Sequence, residues 1–78
     1  MDPEQTARRA ELERRAAEVG PTLEGLTVAA AKAEVARYDG LMLRLVDAAN
    51  PIVTLDYRHG RINALVRDGT IVGPTTLG

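Results

Sequence analysis

The sequence predicts an α+β domain in which one helix packs on a small sheet behind an N-terminal helical extension. Three observations carry this reading. Val28, Ala31, Val35 and Tyr38 recur at spacings of three and four, which places them on one apolar helix face. Residues 41–46 form a short, mostly apolar run, and residues 61–66 alternate in polarity, so both read as strands. Between them lies 47–60, a stretch of Asp, Asn, Pro, Tyr, Arg, His and Gly that propagates neither period. A loop of that length is unusual in a small domain unless it has a function. A chain of 78 residues builds one modest core, so the function has to sit on the surface.

Taken in order, residues 2–19 read as a helix, because Asp2 caps it, Pro3 suits its first position, and Gly20-Pro21 closes it. Glu4 with Arg8 and Glu11 with Arg15 have the favourable acid-first spacing, contributing ~0.2–0.5 kcal/mol per pair. The apolar stripe of this helix, Leu12, Ala16 and Val19, is thin. Residues 1–20 are therefore expected as a helical extension with a lightly docked end, and residues 21–78 as the domain proper. Residues 21–25 form a turn, Thr27 caps a second helix running to about Tyr38, and Gly40 suits the left-handed position that ends it. In the strand over 61–66, alternation puts Ile62, Ala64 and Val66 on one face and Arg61, Asn63 and Leu65 on the other. Asp68-Gly69 is a tight-turn signal that returns Ile71-Val72 antiparallel to that strand.

Composition removes several function classes. No cysteine is present, so there is no disulfide framework and no thiolate nucleophile or zinc ligand. The 10 basic and 11 acidic residues are interspersed, which argues against nucleic acid as a partner. No apolar run approaches the roughly 20 residues of a membrane span. The opening Met-Asp-Pro-Glu lacks the regions of a signal peptide, which leaves cytoplasmic placement and secretion after processing both open. Two Tyr and no Phe or Trp make poor material for a base-stacking face. There is no nucleophile–base pair, phosphate loop or metal-spaced cluster, and the lone His59 reads as a surface residue. The expectation is a binding protein without metal or cofactor, not an enzyme.

The loop string Ile52-Val53-Thr54-Leu55-Asp56-Tyr57-Arg58, followed by Arg61-Ile62-Asn63, resembles the potato inhibitor I family of serine-protease inhibitors. The support motif Arg61-Ile62-Asn63 is closer to a related microbial group of elastase-type inhibitors. Leu23-Glu24-Gly25-Leu26-Thr27, Ala31-Lys32 and Gly78 extend the likeness from Pro21 onward. The resemblance implies a helix against a mixed sheet, with the protease-binding loop bridging two parallel strands. It also implies that the loop enters a chymotrypsin-like or subtilisin-like cleft as a substrate mimic, with Leu55–Asp56 as the reactive bond and residues 52–58 in contact. Arg61, Asn63 and Gly78 are then the loop's supports. Leucine at the reactive bond suits an apolar specificity pocket and not a trypsin-like one.

Alternation directs Arg61 and Asn63 the same way. Arg61 is therefore expected to bond Asp56 and the Thr54 hydroxyl, and Asn63 the oxygens of the loop. The chain departs from the family in three respects: Asn63 stands where many members have a second arginine, residues 74–77 lack a basic residue, and the microbial cysteine pair is missing. Residues 1–20 lie outside the resemblance. The competing expectation is a non-inhibitory interaction module with the same fold, self-associating through its N-terminal helix.

Overall fold

The computed structural model describes residues 2–54 and 56–78. Leu55, the residue on which the reactive-bond expectation turns, lies outside the described residues. Helix α1 spans Pro3–Val19, and the Asp2 side chain caps it by accepting from the Glu4 amide at 3.0 Å. Where a turn was expected, Gly20–Leu23 forms a 3-10 helix that continues the chain without a break, with Pro21 in its first turn. The Thr22 hydroxyl donates to the Val19 carbonyl at 2.6 Å and so satisfies one of the acceptors left at the end of α1. Helix α2 spans Val28–Ala36 and is capped by Thr27, whose Oγ1 accepts from the Ala30 amide at 3.2 Å. It stops short of Tyr38 because its last turn tightens: the Arg37 amide bonds the Glu34 and Val35 carbonyls, and the Tyr38 amide that of Val35. The Tyr38 ring still packs against the core from that turn.

Strands β1 (Met42–Asp47), β2 (Arg61–Arg67) and β3 (Thr70–Leu77) form one sheet in the order β1-β2-β3. β1 runs parallel to β2, in register from Met42 opposite Arg61 to Asp47 opposite Val66. β2 and β3 are antiparallel, joined by Asp68 and Gly69 with φ of 52° and 75°. A two-residue hairpin loop needs that doubly left-handed geometry, and Asp-Gly supplies it cheaply. β3 runs on past the expected Ile71-Val72, through Gly73 and Pro74, to Leu77. As the edge strand it tolerates a proline, and an irregularity between Asn63 and Leu65 resets the register so that Leu77 lies opposite Ile62.

The core is a single cluster in which Leu23, Ile62 and Ile71 are fully buried, together with Ala16, Val19, Ala31, Val35 and Ala64. The last turn of α1 is thus part of the core, a heavier docking than the thin stripe suggested. One turn earlier Leu12 lies against Gly40, where a Cβ would come within 2.8 Å of its Cδ2, and against Gly60 at the end of the loop. The sheet's other face carries Arg44, Asn63 and Leu65. Over it stands the first half of the loop, with a hollow of about 240 Å³ between that face and Pro51 and Val53.

Ala16→Glu places a charge among buried apolar side chains and is expected to unfold helix and sheet together, because an unpaired buried charge costs several kcal/mol against a total of ~5–15. Far-ultraviolet dichroism through a urea titration checks this. An unchanged midpoint for the sheet would show α1 to be an independent appendage.

Candidate functional site

Because β1 and β2 are parallel neighbours, the chain leaving Asp47 must travel back along the length of the strand before entering β2. Over six residue positions at ~3.3 Å each, that distance is roughly 20 Å. Residues 51–54 and 56–58 cover it without helix or strand. Asp47 starts the path: its Oδ1 accepts from the Ala49 amide at 2.9 Å and its carbonyl from the Asn50 amide at 3.1 Å. Farther along, Ile52 is 79 % exposed, Val53 46 % and Tyr57 58 %.

Asp56 is the most heavily engaged side chain of the loop. Its Oδ2 accepts from Arg61 Nη1 at 3.3 Å, and its carbonyl from Arg61 Nη2 at 2.9 Å. The Thr54 hydroxyl donates to Oδ1, Arg44 lies 3.8 Å from Oδ1, and Arg58 Nε lies 3.5 Å from Oδ2. The Thr54 hydroxyl and then the Arg61 guanidinium hold the carboxyl well below the usual aspartate range, against a smaller opposing effect of burial.

These contacts differ in weight. The Arg58 and Asp56 side chains are 64 % and 46 % exposed, so their pair is worth at most ~1 kcal/mol. Arg61 is itself buried, and its hydrogen bonds replace hydration it has lost. Two further donors of Arg61 go to the main-chain oxygen of Gly78, which accepts from Nε at 3.1 Å and from Nη2 at 2.6 Å. The Gly78 amide in turn bonds the Arg61 carbonyl at 3.0 Å, closing a ring between β2 and the end of β3.

Two expectations are corrected here: the bonds of Arg61 go to Asp56 and Gly78 and not to the Thr54 hydroxyl, and Asn63 bonds a side chain of the neighbouring strand in place of loop oxygens. Asn63 Oδ1 accepts from Arg44 Nε at 2.7 Å, and it is Arg44 that reaches the loop, with Nη1 donating to Thr54 Oγ1 at 2.9 Å. The parallel register places Arg44 directly opposite Asn63, so a carboxamide steers a guanidinium supplied by the neighbouring strand. Arg44 thus supplies, from β1, a second cationic contact to the loop beside that of Arg61. The sequence signal for it was a lone charge in an otherwise apolar strand.

His59 is exposed, as its reading as a surface residue expects, and its Nδ1 lies 2.8 Å from Glu13 Oε1 on α1. The Tyr57 hydroxyl donates to the same oxygen at 2.5 Å, and the Tyr57 and His59 rings meet edge to face at 5.2 Å. The Cδ2–Cε2 side of the Tyr57 ring lies against Gly78, where a Cβ would fall 2.7 Å from Tyr57 Cδ2 and where φ of +107° already excludes most side chains.

Comparison with family models, with curated proteins and with solved structures finds no match for this chain. Among the described residues no group of three or more His, Cys, Asp or Glu could hold a metal ion, and no helix is long and apolar enough to cross a membrane. What the site can do chemically follows from its geometry: it holds the residues on either side of position 55 while leaving their neighbours exposed.

Two expectations follow from this arrangement. Arg61→Ala should speed cleavage of the loop by an added protease about ten- to a hundredfold, the factor that ~1.5–3 kcal/mol of charge-assisted hydrogen bonding corresponds to. Arg44→Ala should do so about three- to tenfold, because its partners are a neutral hydroxyl and a more distant carboxylate. Mass spectrometry of timed digests measures both, and an unchanged rate for Arg61→Ala would refute the bracing account. Acid titration gives the second. A carboxyl with a depressed pKa contributes its stabilisation above the unfolded value and loses it only as pH falls through the folded one. Asp56 is therefore expected to stay ionised below the range where an aspartate ordinarily takes up its proton, as followed by its carboxyl carbon resonance.

Proposed function

We propose that this chain is a serine-protease inhibitor of the potato inhibitor I type, acting by substrate-like insertion of the loop with Leu55–Asp56 as its reactive bond. The observation that carries this reading is the pair of residues flanking position 55. Thr54 and Asp56 are hydrogen-bonded to each other and tied from beneath to Arg44 and Arg61. A loop restrained in this way loses little conformational entropy when it binds a protease, which favours affinity. The same contacts oppose the separation of new chain ends that completes hydrolysis, so the protease is occupied for longer than it is by a free peptide.

Within the reading, Leu55 fills an apolar specificity pocket, Ile52, Val53 and Thr54 pair with the cleft before the bond, and Tyr57 and Arg58 do so after it. Arg61, Arg44, Asn63 and Gly78 support the loop from the sheet. The alternative of an assembly module working through α1 has less to draw on, since Ala16 and Val19 of its apolar stripe are already buried in the chain's own core.

Titration of subtilisin and chymotrypsin with the purified protein, with mass spectrometry for a cut after Leu55, tests the proposal. Stoichiometric inhibition with slow cleavage is expected, and Leu55→Asp should abolish it while leaving the unfolding midpoint unchanged. Rapid cleavage without inhibition would mean an exposed but unbraced loop and overturn the inhibitor reading, and full inhibition by Leu55→Asp would overturn the assignment of the reactive bond.

A further inference from the structure

The inhibitor reading draws its supports from the sheet, yet the second half of the loop is held from elsewhere. Tyr57 and His59 are 44 and 46 residues from Glu13 in sequence and both converge on its Oε1. The Glu13 and His59 side chains are 39 % and 42 % exposed, so the contact sits at the surface and contributes little to the core. Its placement is nonetheless fixed. One residue earlier, Leu12 packs over Gly40 and Gly60, so the helix face bearing Glu13 is pinned where the loop rejoins the sheet. On its other side the Tyr57 ring rests on Gly78, the residue whose oxygen Arg61 holds. A continuous chain of contacts thus runs from Glu13 through Tyr57, Gly78 and Arg61 to Asp56, along the segment that follows position 55.

We propose that α1 is a working part of the inhibitor, with Glu13 as a positioning residue that clamps residues 57–59 through Tyr57 and His59. The proposal rests on the inhibitor reading for its consequence and on the free protein for its geometry. Its chemical sense lies in the fate of the cut loop. When a protease serine attacks the Leu55 carbonyl, the C–N bond to Asp56 breaks and the Asp56 nitrogen leaves as an amine, having taken up a proton. Religation is the reverse, in which that amine attacks the acyl-enzyme, restores the peptide bond and frees the serine. The clamp keeps the segment starting at Asp56 beside the acyl-enzyme, so the amine competes with water at a high local concentration. The Glu13 carboxyl is held below its usual range by the Tyr57 hydroxyl first and His59 second, and it remains an acceptor for both.

The test uses the full chain with Glu13→Ala, Glu13→Gln, Tyr57→Phe and the double variant Glu13→Ala/Tyr57→Phe, because Glu13 and Tyr57 lie outside the buried core. In the free protein, the Tyr57 ring should shift the Gly78 α-proton resonances, and Glu13→Ala should collapse that shift while Glu13→Gln, which keeps an acceptor, retains most of it. Against subtilisin, Glu13→Ala should be cut after Leu55 about three- to tenfold faster, the range expected for losing surface hydrogen bonds, with Glu13→Gln close to the parent. The double variant should be no worse than the more severe single one, since both remove the same link. An unmoved Gly78 shift in Glu13→Ala, or single effects that simply add, would overturn the clamp. Should the parent protein inhibit neither protease, the inhibitor reading fails, while the Gly78 shift still decides whether the clamp exists.

Discussion

The parallel pairing of β1 and β2 is the constraint on which the rest of this molecule depends. A parallel neighbour obliges the connection to return the length of the strand, and in most proteins a helix makes that return while burying its own face. Here the return is made by a segment whose described residues, 51–54 and 56–58, form neither helix nor strand, lying over a sheet face that bears Arg44 and Asn63. Such a segment cannot pay for its own order with apolar burial. Whatever holds it must be polar and must come from the strands below and the elements at its two ends.

That requirement explains a buried arginine in so small a domain. A guanidinium removed from water is costly unless its donors are satisfied, and Arg61 meets the condition with the Asp56 carboxylate, the Asp56 carbonyl and the Gly78 oxygen. The satisfaction runs both ways, since the loop needs Arg61 to hold its position and Arg61 needs the loop to justify its burial. Among the described residues no buried side-chain nitrogen or oxygen lacks a partner, which holds for the polar network beneath the loop as well. Gly78 belongs to this logic: its left-handed φ and the Tyr57 ring against it leave no room for a side chain.

Features set by neighbours in sequence were legible, and those set by register were not. The Asp2 and Thr27 caps, the Asp68-Gly69 hairpin and the inward set Ile62, Ala64 and Val66 follow from local chemistry and alternation. The arginine brace was half legible, because Arg61 stands in the string that resembles the inhibitors while Arg44 acquires its role only when the parallel register sets it opposite Asn63. Nothing in the sequence couples Glu13 to His59, since a contact spanning 46 residues leaves no periodic trace. The length of β3 was hidden for another reason: Gly73 and Pro74 break interior strands, and only the sheet order reveals that this strand lies at the edge.

The division of labour among the supports also bears on how the loop responds to its surroundings. The Arg58–Asp56 pair is well exposed, so salt screens it over a Debye length of ~8–10 Å. Arg61 is buried, and its short-range hydrogen bonds to the Gly78 oxygen and the Asp56 carbonyl are directional contacts on which dissolved ions have little purchase. Thr54 adds a neutral link between Arg44 and Asp56 whose geometry persists when charges are screened. The conformation of the loop is therefore set mainly by hydrogen bonds to the buried arginine and the threonine, with the exposed ion pairs adding a minor, salt-dependent share. Without a disulfide, the loop is held by surrounding one carboxylate with donors from the strands and the loop, so that displacing it would break several contacts at once.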